Sequence, residues 1–106
     1  FPTDPKEAFR NYPNPFGRDY KDTKIVFSLE HDSDVELRIF TLIGGLVRTW
    51  KLPDLARGVY TDRVRWDGRN DRGKTVLNGV YLCQLKISPN NGGQNKTYMI
   101  KIAYIK

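Results

Sequence analysis

The sequence predicts an all-β chain, an immunoglobulin-like antiparallel β-sandwich of about seven strands over residues 12–106, preceded by a linker at residues 1–11. Two observations point there. Apolar residues recur at every second position through several runs, the period of a strand with one buried face. Clusters of Gly, Pro, Asn and Asp separate those runs and supply turn chemistry. The length of 106 residues sets the scale: one domain with one core, and no space for a second. A sandwich is the economical solution, because each strand has a single apolar face to bury against another sheet, although the turn spacing alone also permits a small barrel. The Cys and Trp spacing of antibody domains is absent.

Residues 1–22 hold four of the six prolines and read as a linker followed by an ordered segment. Asp4 before Pro5, with Glu7 three positions on, is a capping pattern for one helical turn through Arg10. Such a turn is too short to stand alone. Asn11-Tyr12-Pro13-Asn14-Pro15-Phe16 is an extended piece whose two rings are placed to dock on a core edge. From Thr23, Ile25, Phe27 and Leu29 alternate with Lys24, Val26 and Ser28. Val35, Leu37 and Ile39 then alternate with Asp34, Glu36 and Arg38, so both runs are half-buried strands. Gly44-Gly45 turns the chain into a strand over 46–52, and Pro53, Asp54 and Gly58 bound a loop.

Tyr60 to Trp66 forms the next strand, and its terminal indole is placed to plug the core. Asp67-Gly68 and the cluster from Asn70 to Gly73 then supply the side-chain hydrogen bonds and positive φ of a compact turn. Asn78-Gly79 is a second turn signal, before a buried strand over 80–87. Ser88 to Gly93 is a turn cluster. Over 96–106, Tyr98, Ile100, Ile102 and Tyr104 alternate with Thr97, Met99, Lys101 and Ala103 in a last strand.

Composition narrows the function classes. The longest apolar runs fall far short of the ~20 residues of a membrane-spanning helix. The chain begins at Phe1 without an initiator Met or a signal segment, which suggests a mature product or a piece of a longer protein. A single cysteine, Cys83, excludes an internal disulfide and a cysteine-clustered zinc site. A nucleophilic thiol would want His31, the one histidine, as its base, but His31 lies in a polar turn-like run; a buried structural cysteine is the better reading.

The remaining acidic residues sit in turns or alternate with apolar ones, so no catalytic, cofactor or metal residues are assigned and the chain is read as non-enzymatic. Asp67, Asn70 and Asp71 are the one candidate oxygen cluster for calcium. They lack the spacing and terminal Glu of an EF-hand loop, and serve better as partners of the turn's own amides. The formal charge of +6 is uneven: residues 1–44 carry six basic and eight acidic groups, residues 45–106 twelve and four. Such an imbalance could serve an anionic partner, such as nucleic acid, lipopolysaccharide or a membrane surface, or be a solvated face; no run of five basic residues occurs, and nucleic acid is not expected.

Several motifs occur in a fixed order: Tyr12-Pro13-Asn14-Pro15-Phe16; the Ile25, Phe27, Leu29 strand; Val35 to Phe40 with Gly44 and Val47; Gly58; Trp66-Asp67-Gly68 with Asp71 and Gly73; and Gly79-Val80-Tyr81. Together they cover nearly the whole chain. This order resembles the C-terminal sorting domains of proteins exported by the type IX secretion system, and the related immunoglobulin-like domain of the flagellar hook-capping protein. Thr41 stands where that family carries Asp or Asn, and the loop at Gly92-Gly93 is longer.

The resemblance implies a module without enzymatic activity at the end of a larger exported bacterial protein, covalently preceded by another domain. A secretion translocon or cell-surface anchoring machinery would recognise it, and the location would be secreted or cell-surface, reached through the periplasm. A chain that stops at Lys106 directly after a strand fits that reading. The alternative is a structural or adhesive module, hook-cap-like or carbohydrate-binding, with Tyr20, Trp50, Tyr60 and Tyr104 as its candidate exposed rings. Fold alone does not separate the two, since one sandwich hosts many partners.

Overall fold

The structure, a computed structural model, describes residues 4–106. The alternating runs become β3 (Thr23–Leu29), β4 (Ser33–Phe40), β5 (Leu46–Leu55), β6 (Gly58–Trp66), β7 (Gly79–Pro89) and β8 (Lys96–Ile105). Two short strands precede them, β1 (Arg10–Tyr12) and β2 (Phe16–Gly17), after a single helical turn, α1 (Pro5–Ala8). Eight strands among the described residues thus form a two-sheet sandwich, one sheet ordered β1-β3-β6 and the other β2-β8-β7-β4-β5. All pairings are antiparallel except β2 with β8, which is parallel.

The inward-facing set is the one the alternation selects. Ile25, Phe27, Val64 and Trp66 of one sheet meet Leu37, Ile39, Cys83, Leu85 and Ile102 of the other, all but fully removed from water. Register fixes this, because a one-residue slip would turn every inward side chain outward. Val35 pairs with Leu52 on one side and Ile87 on the other, and Leu37 with Trp50 and Leu85, so apolar residues share rows across β5, β4 and β7.

Four expectations need correction. Of residues 1–11, expected as linker, residues 1–3 lie outside the described residues, and residues 5–11 pack onto the sandwich: Ala8 and Phe9 are buried, α1 lies against β3, and β1 pairs with β3 through Arg10↔Val26 and Asn11↔Ile25. The leading segment covers the outer side of β3, and Val26 and Ser28 are buried along with Ile25 and Phe27. The helical turn ends at Ala8 rather than Arg10. Asp4 caps it by accepting from the Lys6 N–H at 3.0 Å, and the Phe9 N–H closes it on the Pro5 carbonyl.

Pro53 and Asp54, expected in a loop, lie inside β5. That strand is a sheet edge, where the missing N–H of proline leaves no ladder bond unmade. They form an irregularity opposite Asp34, with Asp54 at φ 52° and its N–H donating to the Asp34 carboxylate at 2.9 Å.

Trp66 is 0% exposed. Its ring centroid lies 5.4 Å from Phe16, 5.4 Å from Tyr81 and 6.5 Å from Tyr104. Its indole N–H donates to the Arg69 carbonyl at 2.9 Å, so the ring's one polar atom is satisfied by the turn that follows it. Trp66→Ala should lower unfolding free energy by about 3–5 kcal/mol in chemical denaturation, the range for truncating a buried aromatic. A loss below about 1 kcal/mol would contradict the core role.

Candidate functional site

One end of the sandwich gathers the motifs that the sequence singled out. Phe16 is buried by rings on two sides, 5.4 Å from Trp66 and 5.0 Å from Tyr104. Tyr104 packs so close to the backbone that a Cβ on Gly68 would lie 2.6 Å from its ring, and one on Gly17 2.9 Å from it. Both glycines have positive φ, 78° and 121°, so these positions require Gly on two independent grounds. The Tyr81 hydroxyl donates to the Leu77 carbonyl at 2.6 Å and ties the Asn78-Gly79 turn to the same cluster.

Asn14 explains why the leading segment lies where it does. Its side-chain amide donates to the Lys101 carbonyl at 3.3 Å and its oxygen accepts from the Ala103 N–H at 3.0 Å, copying the two bonds a neighbouring strand would make. The Thr23 hydroxyl donates to the Pro13 carbonyl at 2.8 Å and accepts from the Asn11 amide at 3.0 Å, anchoring the other side. With β2 paired to Tyr104 and Ile105, the second half of β8 is covered along its outer edge. Lys96 to Met99 have no strand there among the described residues.

The turn after Trp66 centres on Arg48. Its guanidinium donates to Asp67 Oδ1 at 3.1 Å, lies 3.8 Å from Asp71 Oδ1 and stands 4.9 Å from the centroid of the Trp50 ring. Asp67 also accepts from the Arg69 N–H, Asp71 from the Thr49 N–H, and Asn70 Oδ1 from the Arg72 and Lys74 N–H groups. The three oxygen-bearing residues proposed for calcium are thus engaged by a cation and by backbone amides, the Asx-turn use of such side chains. Among the described residues, no three His, Cys, Asp or Glu side chains gather to hold a metal ion.

Cys83 is buried in the middle of β7, and burial pushes its thiol well above the ordinary range, so it stays protonated. The β4–β7 register sets Cys83 opposite Ile39 and Ser33 opposite Pro89. His31, two residues before Ser33, is therefore roughly 20 Å along the strand from the thiol. Of the candidate exposed rings, Tyr20 is 55% exposed, Trp50 and Tyr60 are half-buried, and Tyr104 is only 4% exposed, a correction forced by its place against Phe16. Tyr60 stacks on Phe27 at 5.1 Å. Tyr12, expected to dock on the core as Phe16 does, is instead 67% exposed and lines an open cleft with Pro13, Pro15 and Tyr20. Alternation could not flag that cleft, because it arises from the fold-back of the leading segment.

In comparison with known proteins, the chain matches no family model and no curated sequence. No helix among the described residues is long and apolar enough to cross a membrane.

Two measurements check this end and its flank. A thermal melt should be unchanged by millimolar calcium, because binding to the native state would raise stability by mass action and Arg48 already engages the carboxylates. In β6, where the register with β3 shifts between Val64 and Tyr60, Arg65 bonds Asp62 through two nitrogens at 2.5 and 2.7 Å. That hydrogen bonding holds the Asp62 carboxyl below its usual range. A depressed folded-state value means the pair's contribution is present above the unfolded aspartate pKa of about 3.9 and is lost as pH falls through the lower folded value. An NMR titration should find Asp62 below ordinary aspartates, and Arg65→Gln should return it to them.

Proposed function

We propose that this chain is a non-catalytic module of a larger exported bacterial protein, acting as a type IX secretion sorting and cell-surface anchoring signal. The observation that carries this reading is spatial. The residues of the resembling motifs, Phe16, Trp66, Gly68 and Tyr81, converge with Tyr104 of the last strand on one packed end. Motifs scattered over the sequence thereby become one structural unit, which is what a machine reading folded cargo needs. The element offered to that machine is β8. Its first half, from Lys96, is an open edge, and the exposed side chains of Lys96 and, along the covered half, Lys101, with Lys106 just beyond, give the strand a positive border suited to an acidic receptor. The partners on this reading are the translocon or the anchoring machinery and the covalently preceding domain, with no nucleic acid.

A structural or adhesive role is the second reading, and one observation favours it. Tyr12 and Tyr20 expose their rings around the cleft along the leading segment, an arrangement suited to stacking on a sugar or a partner's side chain.

Export decides between them. A passenger with its own signal peptide, fused to the whole chain at its C-terminus, should leave the periplasm of a bacterium that has the type IX machinery. Deleting Ile100 to Lys106 should abolish export. Because that deletion also removes buried Ile102 and Tyr104, the paired change Lys101→Gln with Lys106→Gln tests the charge on a folded domain, and export should fall. An intact fusion that is folded yet stays periplasmic would rule out the sorting role and leave the structural or adhesive one.

A further inference from the structure

The outer face of the five-stranded sheet is divided. At the end where β4 finishes and β7 begins, the cross-strand partners Leu46, Phe40 and Leu82 form one outward row, and Val80 with Ala103 forms the next. Tyr81, Cys83 and Ile39 point inward, so these neighbours must point out. Leu46 and Val80 are exposed, while Phe40, Leu82 and Ala103 are half-exposed. The β4–β5 hairpin extends this patch beyond the sheet: at its tip Ile43 is 97% exposed and Leu42 60%. The two glycines that follow let the tip turn without a side chain to fold over those residues, and Gly44 takes φ 92°.

Lys101 ends the first of these rows as the partner of Leu82, Arg38 lies in the next row along the sheet, and Lys51 and Lys86 flank Glu36 in the row after it. The carboxylate among them is Glu36, which is paired with Arg38. Four cations against Glu36 and, one row further on, Asp34 leave this face net positive.

We infer that this face is a docking surface for a bilayer carrying anionic lipid, with the Leu42-Ile43 tip and the aliphatic rows entering the interface and the basic band lying on the headgroups. Charge complementarity selects the occupant's sign, and the apolar part selects its nature. Apart from Phe40 the patch is aliphatic, and its tip protrudes. A fluid acyl boundary accepts such a surface, whereas the anchors that protein partners bury in pockets are typically Trp, Tyr and Arg. Buried aliphatic area and attraction to anionic headgroups add in this geometry, each basic residue near the surface strengthening the hold. The inference shares Lys101 with the sorting reading but does not depend on it, since the apolar rows and the Leu42-Ile43 tip play no part in that reading.

Co-sedimentation with vesicles tests it. The full chain should pellet with vesicles of phosphatidylcholine mixed with phosphatidylglycerol, much less with phosphatidylcholine alone, and progressively less as salt screens the band. The double variant Leu42→Ser with Ile43→Ser should lower partitioning by about tenfold or more while leaving the thermal melt unchanged, since both side chains are exposed. Lys86→Gln with Lys101→Gln should abolish the preference for phosphatidylglycerol and spare the weak residual binding. Failure of the parent chain to bind the mixed vesicles would overturn the inference, as would equal binding by the Leu42/Ile43 variant. So would a concentration-dependent dimer that the Ile43→Ser change dissolves, because the patch would then belong to a second copy.

Discussion

The contact on which the rest of this sandwich depends is the ring cluster of Trp66, Phe16, Tyr104 and Tyr81. Trp66 comes from the three-stranded sheet, Tyr81 and Tyr104 from the five-stranded sheet, and Phe16 from the short strand that joins the edge of β8. Ring centroids 5.0 to 6.5 Å apart in tilted and edge-on arrangements close the end of the core, where two twisted sheets would otherwise splay and admit water. The constraint extends to the backbone, because Gly17 and Gly68 are small where Tyr104 is large. Packing at crystal-like density couples such positions tightly, so volume added at either glycine has to displace the tyrosine.

Polar groups around this cluster do work that strands do elsewhere. Asn14 supplies a peptide-like pair of bonds to β8, Thr23 holds the Pro13 carbonyl, and Arg48 gathers the turn after Trp66 through Asp67 and Asp71. Thr23 is buried, but Asn14, Arg48, Asp67 and Asp71 are exposed or half-exposed, so their ion pairs and hydrogen bonds contribute modestly to stability. Their effect is on geometry: they decide where the leading segment and the Asp67 to Gly73 turn lie, and so which edge of β8 is left open. The proposed sorting role uses that open edge, while the aliphatic face on the same sheet addresses a different kind of surface. The two meet at Lys101, whose side chain lies in the outward row, while the open edge presents the backbone groups of Lys96 to Met99 in the plane of the sheet.

Much of the fold was legible because a strand with one buried face leaves a period-two signature. Ile25, Phe27, Val35, Leu37, Ile39, Val64, Ile102 and Tyr104 all lie inward where alternation placed them, and Trp66 fills the core as its place at a strand's end indicated. The misreadings have a common cause. In sequence, residues 5–11 read as linker and Val26 and Ser28 as the less buried side of β3, because a short proline-rich segment carries no periodicity of its own. Its docking is set by Ala8, Phe9 and the β1 pairing, which are long-range events. Pro53 and Asp54 looked like a loop because those residue types break strands in general, yet an edge strand tolerates them. Tyr104 was entertained as an exposed ring although its alternation pointed inward.

The sequence by itself determined the fold class, the inward set of the main strands, the turns other than the one after β5, and the seclusion of Cys83, since these follow from local period, turn chemistry and composition. Only the tertiary structure decided the rest. It placed Phe16 rather than Tyr12 in the core, put Arg48 between Asp67 and Asp71, aligned Leu46, Phe40, Leu82, Val80 and Ala103 into one exposed face, and left the first half of β8 open. The physical reason is strand order. Which strands become neighbours is settled by burial and backbone pairing between residues far apart in the chain, and adjacency of that kind has no local signature.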